Sequence, residues 1–214
     1  MSSKIILAIE TSSTICGVSI FHGDKIISTI ERESERKHAE ILPRFIKELF
    51  DKSEISLDGL DAIAVSIGPG SFTGLRIGLG FAKGIAFAKD IPIIPVPTIQ
   101  SIAYGLKKLE PLCGIVYSHS TKVYYQEFQW ENGYPIPKEK PSIADINLFV
   151  NILEKQNSFQ SSCDNIITNS KGLIKGYHSS KYIGALAIHN FNEWLNEKPY
   201  TLEPDYISEF EINT

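Results

Sequence analysis

Unbroken apolar runs and alternating apolar–polar stretches succeed one another along the first half of this chain. Ile5-Ile6-Leu7-Ala8-Ile9 is a continuous apolar run ending at Glu10-Thr11-Ser12-Ser13, and it predicts a strand buried on both faces. Residues 16–21 set Cys16, Val18 and Ile20 against Gly17, Ser19 and Phe21, the period-two pattern of a second strand. His22-Gly23-Asp24 reads as a turn, and Lys25 to Ile30 as a third strand. A helical period follows from about His38 to Lys52. Ala62 to Ile67 predicts a fourth strand, which leads through a Gly-rich turn into a helix over Thr73 to Lys89. Residues 91–97 predict a short strand, and Thr98 is placed to cap a helix reaching about Leu109.

The second half repeats this order more weakly. It predicts paired strands at 115–118 and 122–130, then a loop over 131–142, which holds Pro135, Pro137 and Pro141. A helix over Ala144 to Gln156, a short strand over Ile166 to Thr168 and a helix over Tyr182 to Asn196 follow. The tail Glu203-Pro204-Asp205-Tyr206-Ile207 is expected to pack back on the core. Three strands, a helix, a strand and a helix, followed by a degenerate copy, predict an α/β protein of two related lobes. Each lobe is a mixed sheet with flanking helices, over residues 1–100 and 101–214, joined near 97–105.

Two predicted helices carry more apolar surface than one core uses. Ile41, Leu42, Phe45, Ile46, Leu49 and Phe50 cover about half the circumference of the first, where a helix on a sheet needs roughly a 100°-wide stripe. On the second, Arg76 and Lys83 share one line, and Leu75, Ile77, Leu79, Phe81, Ile85 and Phe87 point elsewhere. Gly74, Gly78, Ala82 and Ala86 form one row of small residues, and Gly80, Gly84 and Ala88 another. Each helical glycine costs about 1 kcal/mol relative to Ala, so close packing must compensate. That packing is either burial inside one subunit or docking of a second protein. The docking set is Ile41, Phe45, Leu49, Gly74, Ile77, Gly78, Phe81 and Lys83, with Phe45 and Phe81 expected at the surface.

Gly68-Pro69-Gly70-Ser71-Phe72-Thr73-Gly74-Leu75 sits where a phosphate loop would, between strand and helix. It lacks the Lys of the GxxxxGK[ST] loop, and Thr73 replaces the third Gly of the GxGxxG fingerprint. Ser71 is placed to cap the helix, with Thr73 in its first turn. No GxSxG elbow or neighbouring His makes Ser71, Thr73 and Asp61 a hydrolytic set. A net charge of −4 gives no basic surplus for gripping nucleic acid, so contact with RNA would require a partner. The three cysteines are unclustered and read as buried, reduced thiols of a cytoplasmic protein, without a secretory leader or membrane anchor. Tyr124, Tyr125, Phe128 and Trp130 are read as core and one exposed face, against an alternative role in stacking bases.

The strings Leu60-Asp61-Ala62-Ile63-Ala64-Val65 and Gly68 to Gly78 closely resemble the TsaB family of bacterial tRNA threonylcarbamoyladenosine biosynthesis proteins. Ile6-Leu7-Ala8-Ile9-Glu10-Thr11-Ser12 and His38-Ala39-Glu40-Ile41-Leu42-Pro43 fit the same family, and the match is specific over residues 4–98. Beyond residue 105 it weakens: Tyr117-Ser118-His119 stands where the family often has Asp-Ala-Arg, and Tyr206-Ile207-Ser208 where it has Tyr-Leu-Arg. The resemblance implies an actin-like (ASKHA) two-lobe fold. It also implies a non-catalytic role in threonylcarbamoyl transfer to N6 of the adenosine beside the tRNA anticodon. The implied partners are a TsaD-like catalytic paralogue, a TsaE-like ATPase within the complex, and tRNA indirectly; a homodimer is expected in isolation.

The catalytic paralogue holds its metal through two histidines four apart, and here Leu42 follows His38 at that spacing. His22, His119, His178 and His189 are likewise unpaired along a helix, so no metal site is expected and His38 is read as a helix-edge residue. Glu10, Thr11 and Ser12 are the candidates for a phosphate or metal-water role, weighed against simple satisfaction of a strand turn. The competing function is an independent enzyme, either an actin-fold nucleotide-dependent phosphotransferase or a metal-dependent peptidase.

Overall fold

A computed structural model describes residues 3–147, 153, 157–167 and 172–207. Strands β1 (Ile5–Glu10), β2 (Ile15–His22) and β3 (Lys25–Glu33) form an antiparallel meander. Helix α1 (His38–Ser53) then crosses over to β4 (Ala62–Gly68), which lies parallel to β1. Helix α2 (Phe72–Lys89) makes a second crossover to β5 (Ile93–Pro97), parallel to β4. The resulting strand order is β3-β2-β1-β4-β5. The apolar run of β1 is buried because both faces are covered: Leu7 and Ile9 face α1 and α2, with Val18, Leu42, Leu49 and Leu79, and Ile6 and Ala8 face the other way.

Helix α3 (Thr98–Gly105) leads to the second sheet. There β6 (Cys113–His119) pairs antiparallel with β7 (Lys122–Glu131), which in turn pairs with β8 (Tyr134–Pro137) and β9 (Ser142–Asp145). On its other side β6 pairs parallel with β10 (Ser158–Ser161), and β10 with β11 (Ile174–Lys175). An antiparallel hairpin beside a parallel strand repeats the β2-β1-β4 arrangement, which is the predicted degenerate copy. Helix α4 (Ser180–His189) returns to the first sheet, packing Ile183, Leu186 and Ala187 on Ile6, Ala8 and Phe21. The short helix α5 (Phe191–Trp194) follows, and Asn196 bridges Ile93 at the sheet edge.

The second half departs from the sequence reading in several places. Residues 131–142 contain β8 and the start of β9 rather than a loop; Pro135 and Pro137 are tolerated because β8 is an edge strand. Residues 142–145 form β9, so the predicted helix cannot begin at Ala144, and residues 148–152 and 154–156 of that prediction lie outside the described residues. Residues 164–166 form a turn, and Thr168 lies outside the described residues. The strand is instead β10, whose Ser158-Phe159-Gln160-Ser161 carries no apolar pattern. The predicted helix to Asn196 breaks at Asn190. Thr98 caps no helix of its own: Pro97 is the N-cap, and the Thr98 hydroxyl accepts the Gly68 N–H at 3.2 Å.

Candidate functional site

The two over-apolar helices separate into used and unused surface. Phe45 is 5% exposed and Leu49 is fully buried, both inside the first core, so neither is the surface position expected. Ile41 is half-buried at the margin of the same core. On α2, a Cβ at Gly74 would fall on the Thr11 carbonyl oxygen, and one at Gly78 on the Thr11 hydroxyl. Thr11 Oγ1 itself donates to the Gly74 carbonyl at 2.8 Å. This row of small residues is therefore taken up by the chain's own β1–β2 turn and leaves nothing for a partner.

The second row is different. A Cβ at Gly80 or Gly84 would meet nothing within 4 Å, and Ala88 beside them is exposed. Half-buried Ile77 and Phe81 flank this row on one side. Phe87 projects on the other, 86% exposed. The two charges of the helix interior are turned to the chain's own tail. Arg76 Nε donates to the Tyr206 hydroxyl at 2.8 Å, with its guanidinium 3.8 Å from the Phe72 ring centroid. Lys83 Nζ donates to the Tyr200 carbonyl at 3.2 Å, so it borders the face rather than standing on it. The tail is anchored further by Asp205 N–H donating to the Ile67 carbonyl at 2.7 Å, the packing expected of it; Ser208 lies outside the described residues.

At the C-terminal end of β1, Glu10 and Thr11 are completely buried and Ser12 nearly so. The Ser12 N–H and hydroxyl both donate to Glu10 Oε1, at 2.5 and 2.6 Å, and Ser66 Oγ donates to the same oxygen at 3.2 Å. Glu10 Oε2 has no hydrogen-bond partner among the described residues. Burial pushes the Glu10 carboxyl up to about 7, against the opposing pull of these hydrogen bonds. Ser12 Oγ also lies 3.0 Å from His178 Nδ1. Burial drives the His178 imidazole down to about 4, so it is neutral at pH 7 and its 4.0 Å approach to Glu10 is not an ion pair. The single Ser12 hydroxyl proton goes to Glu10 Oε1, so His178 donates Nδ1–H to Ser12 and keeps Nε2 as an acceptor.

His178 reaches this place because Glu31 on β3 holds the segment after it. Glu31 Oε1 accepts from the Ser180 N–H, the Ser180 hydroxyl and the Ser179 hydroxyl, at 2.6, 2.7 and 2.8 Å. A carboxylate at the N-terminus of α4 is also favoured by the helix dipole. The sequence reading missed His178, and no local spacing marks it, because its partner Ser12 lies 166 residues away. Together with Ser12, Ser71, Thr73, Tyr117 and Tyr124 it lines a cleft of about 1050 Å³ between the two sheets. Ser71 caps α2 as predicted, accepting the Gly74 N–H at 3.2 Å.

His38 opens α1, as its reading as an N-terminal helix residue has it, but it is buried rather than at an edge, with Nε2 3.2 Å from the Ile15 carbonyl. Cys16, Cys113 and Cys163 are free and buried, their thiols pushed up to about 12 by that burial. Phe128 is fully buried, and half-buried Trp130 donates its Nε1–H to the Pro111 carbonyl at 2.9 Å, which makes them packing residues. Among the described residues no group of three His, Cys, Asp or Glu could hold a metal ion, and no helix is long and apolar enough to cross a membrane.

Two mixed sheets of like topology, each an antiparallel hairpin extended by parallel strands with helices packed against it, define an actin-like (ASKHA) two-lobed α/β protein. A solved structure, YeaZ from Pseudomonas aeruginosa, has the same fold, with a TM-score of 0.81 over 95% of this chain and 99% of that one at 20% identity. Residues 25–134, just over half the chain, match the family model described as TsaD: tRNA N6-adenosine threonylcarbamoyltransferase. The tRNA threonylcarbamoyladenosine biosynthesis protein TsaB of Buchnera aphidicola subsp. Schizaphis graminum is 32% identical over 72% of this chain and 74% of its own length. TsaB of Buchnera aphidicola subsp. Baizongia pistaciae is 29% identical over 96% of this chain and 99% of its own. The match to TsaB of Haemophilus influenzae, at 32% identity, spans only 55% of that protein. The chain belongs to the TsaB family of tRNA threonylcarbamoyladenosine biosynthesis proteins.

Proposed function

We propose that this chain is a non-catalytic subunit of the threonylcarbamoyl transfer that modifies N6 of the adenosine beside the tRNA anticodon. It acts by binding a TsaD-like paralogue and stabilising or activating it. The observation that carries the reading is the open row on α2. Gly80 and Gly84 each cost the isolated helix about 1 kcal/mol relative to Ala, and no contact inside the monomer requires them. Together with Ile77, Phe81, Ala88 and Phe87 they form an uncharged face that admits a second backbone closely. Glu10, on which an independent phosphotransferase would depend, is buried with one oxygen already accepting from Ser12 and Ser66, which supports the accessory role.

In this reading the TsaE-like ATPase and tRNA are met through the assembled cytoplasmic complex, since a net charge of −4 gives the chain little grip on RNA. When the partner is absent, a second copy of the chain covers the α2 face in an isologous homodimer. The test is co-purification with the TsaD-like paralogue. Gly84→Arg and Phe87→Asp are expected to abolish the complex while leaving thermal unfolding of the lone chain near that of wild type. Co-purification at wild-type yield would show that this face is not where the partner docks.

A further inference from the structure

A second groove, of about 1040 Å³, runs along the outer edge of the first sheet, between β5, β8 and residues 190–201. It shares no lining residue with the cleft between the sheets. The backbone of its β5 wall is short of donors. β5 is the last strand of its sheet, and Ile93 exchanges both outward hydrogen bonds with Asn196, at 3.1 and 2.8 Å. Two residues on, Pro95 faces the same edge with a carbonyl and no N–H. A strand added there would find no donor to pair with.

The side chains repeat this imbalance. Gln100 is 4% exposed and donates Nε2 to the Pro135 carbonyl at 2.8 Å, which leaves its amide oxygen as an unused acceptor on the groove wall. Glu193 and Glu197 stand exposed at the rim, and Lys198, the cation among the described lining residues, forms an ion pair with neither. Half-buried Trp194 adds an aromatic surface, and Pro97, Ile136 and Pro137 an apolar one. A phosphate or carboxylate would be repelled by the two glutamates. A guanidinium fits instead, because it has five N–H donors and no acceptor, carries a positive charge and lies flat on an indole. An ammonium has the charge without the planar fork.

We propose that this groove binds a guanidinium group, carried either by an arginine side chain of a partner protein or by a small free guanidine. Its N–H groups turn to the Gln100 oxygen and the Pro95 carbonyl, Glu193 and Glu197 counter its charge, and its aliphatic stem lies along Pro97 and Ile136. The inference stands apart from the α2 docking face and does not depend on it. Titration calorimetry of the full chain at low salt tests it, with N-acetyl-argininamide, propylguanidine, N-acetyl-lysinamide and N-acetyl-citrullinamide as probes. Citrulline keeps the shape of arginine and loses the charge.

Both guanidines are expected to bind, the lysine probe about threefold more weakly than the arginine probe and the citrulline probe about tenfold more weakly. Tighter binding of N-acetyl-argininamide than of propylguanidine assigns the groove to a protein side chain; equal or weaker binding assigns it to a free guanidine. Glu193→Gln combined with Glu197→Gln is expected to weaken both about tenfold with no change in thermal midpoint, since both positions are exposed. No heat from either guanidine at about 20 mM would overturn the proposal. So would a citrulline or lysine probe that binds as tightly as the arginine probe, or wild-type affinity in the double variant.

Discussion

Burial shifts both Glu10 and His178 toward their neutral forms, and at the scale of single residues they make the protein's stability respond to pH in opposite directions. The Glu10 carboxyl sits near 7 in the folded state against an ordinary 4.5, so the folded chain holds a proton that the unfolded chain has lost between those values. Its contribution is complete below about 4.5 and declines as pH rises to about 7, by roughly 3 kcal/mol in all. His178, near 4 against an ordinary 6.5, costs stability as pH falls through 6.5 toward 4. Glu10→Gln removes the first effect alone. Urea midpoints at pH 5 and pH 8 should show the Gln variant gaining on wild type at the higher pH. A difference between the two proteins that is the same at both pH values would mean that Glu10 ionises normally.

At the scale of elements, α2 contains two kinds of glycine in one helix. Gly74 and Gly78 allow the helix to lie against Thr11; Gly80 and Gly84 face open space. The same substitution should therefore have opposite signs. Gly80→Ala and Gly84→Ala are expected to stabilise the lone chain by about 0.5–1 kcal/mol each and to weaken the complex with the paralogue. Gly74→Ala forces the helix off the β1–β2 turn and is expected to destabilise by about 1–3 kcal/mol. Chemical denaturation of the four single variants, with Gly78→Ala as the fourth, reads this directly; equal effects in both rows would remove the distinction. The sequence showed both small-residue rows and the excess of apolar surface, because helical spacing is a local property. It could not show that Thr11, more than sixty residues earlier, occupies one of them. For the same reason Phe45, which the breadth of the apolar face set at a surface, packs into the core beneath Arg32, whose guanidinium carbon lies 5.6 Å from its ring centroid.

At the scale of the whole molecule, the chain leaves the first sheet after β5 and comes back to it with α4 and the tail. Core clusters on the first sheet thus contain residues from both ends of the sequence, Leu7 with Leu202 and Ile6 with Leu186. Arg76 is the main polar hold on the end of the tail, through the Tyr206 hydroxyl and the ring stack with Phe72. Arg76→Ala is expected to leave the fold intact and to raise amide exchange over residues 203–207. Unchanged protection there would show that the Asp205 backbone bond and Leu202 packing hold the tail unaided.

The amino-acid sequence by itself determined the elements of the first lobe to within about three residues at each end, as well as the family. Its central strands are buried on both faces and its two crossover helices are long, so hydrophobic period and turn chemistry are both strong there. In the second lobe that signal fails, since β10 is short and polar and β8 is built around prolines; pairing with neighbours, not side-chain pattern, makes them strands. Only the tertiary structure decided which α2 glycines are free, and that Glu10, Ser12 and His178 form one buried chain. Those facts depend on contacts between residues distant along the chain, which no local pattern encodes.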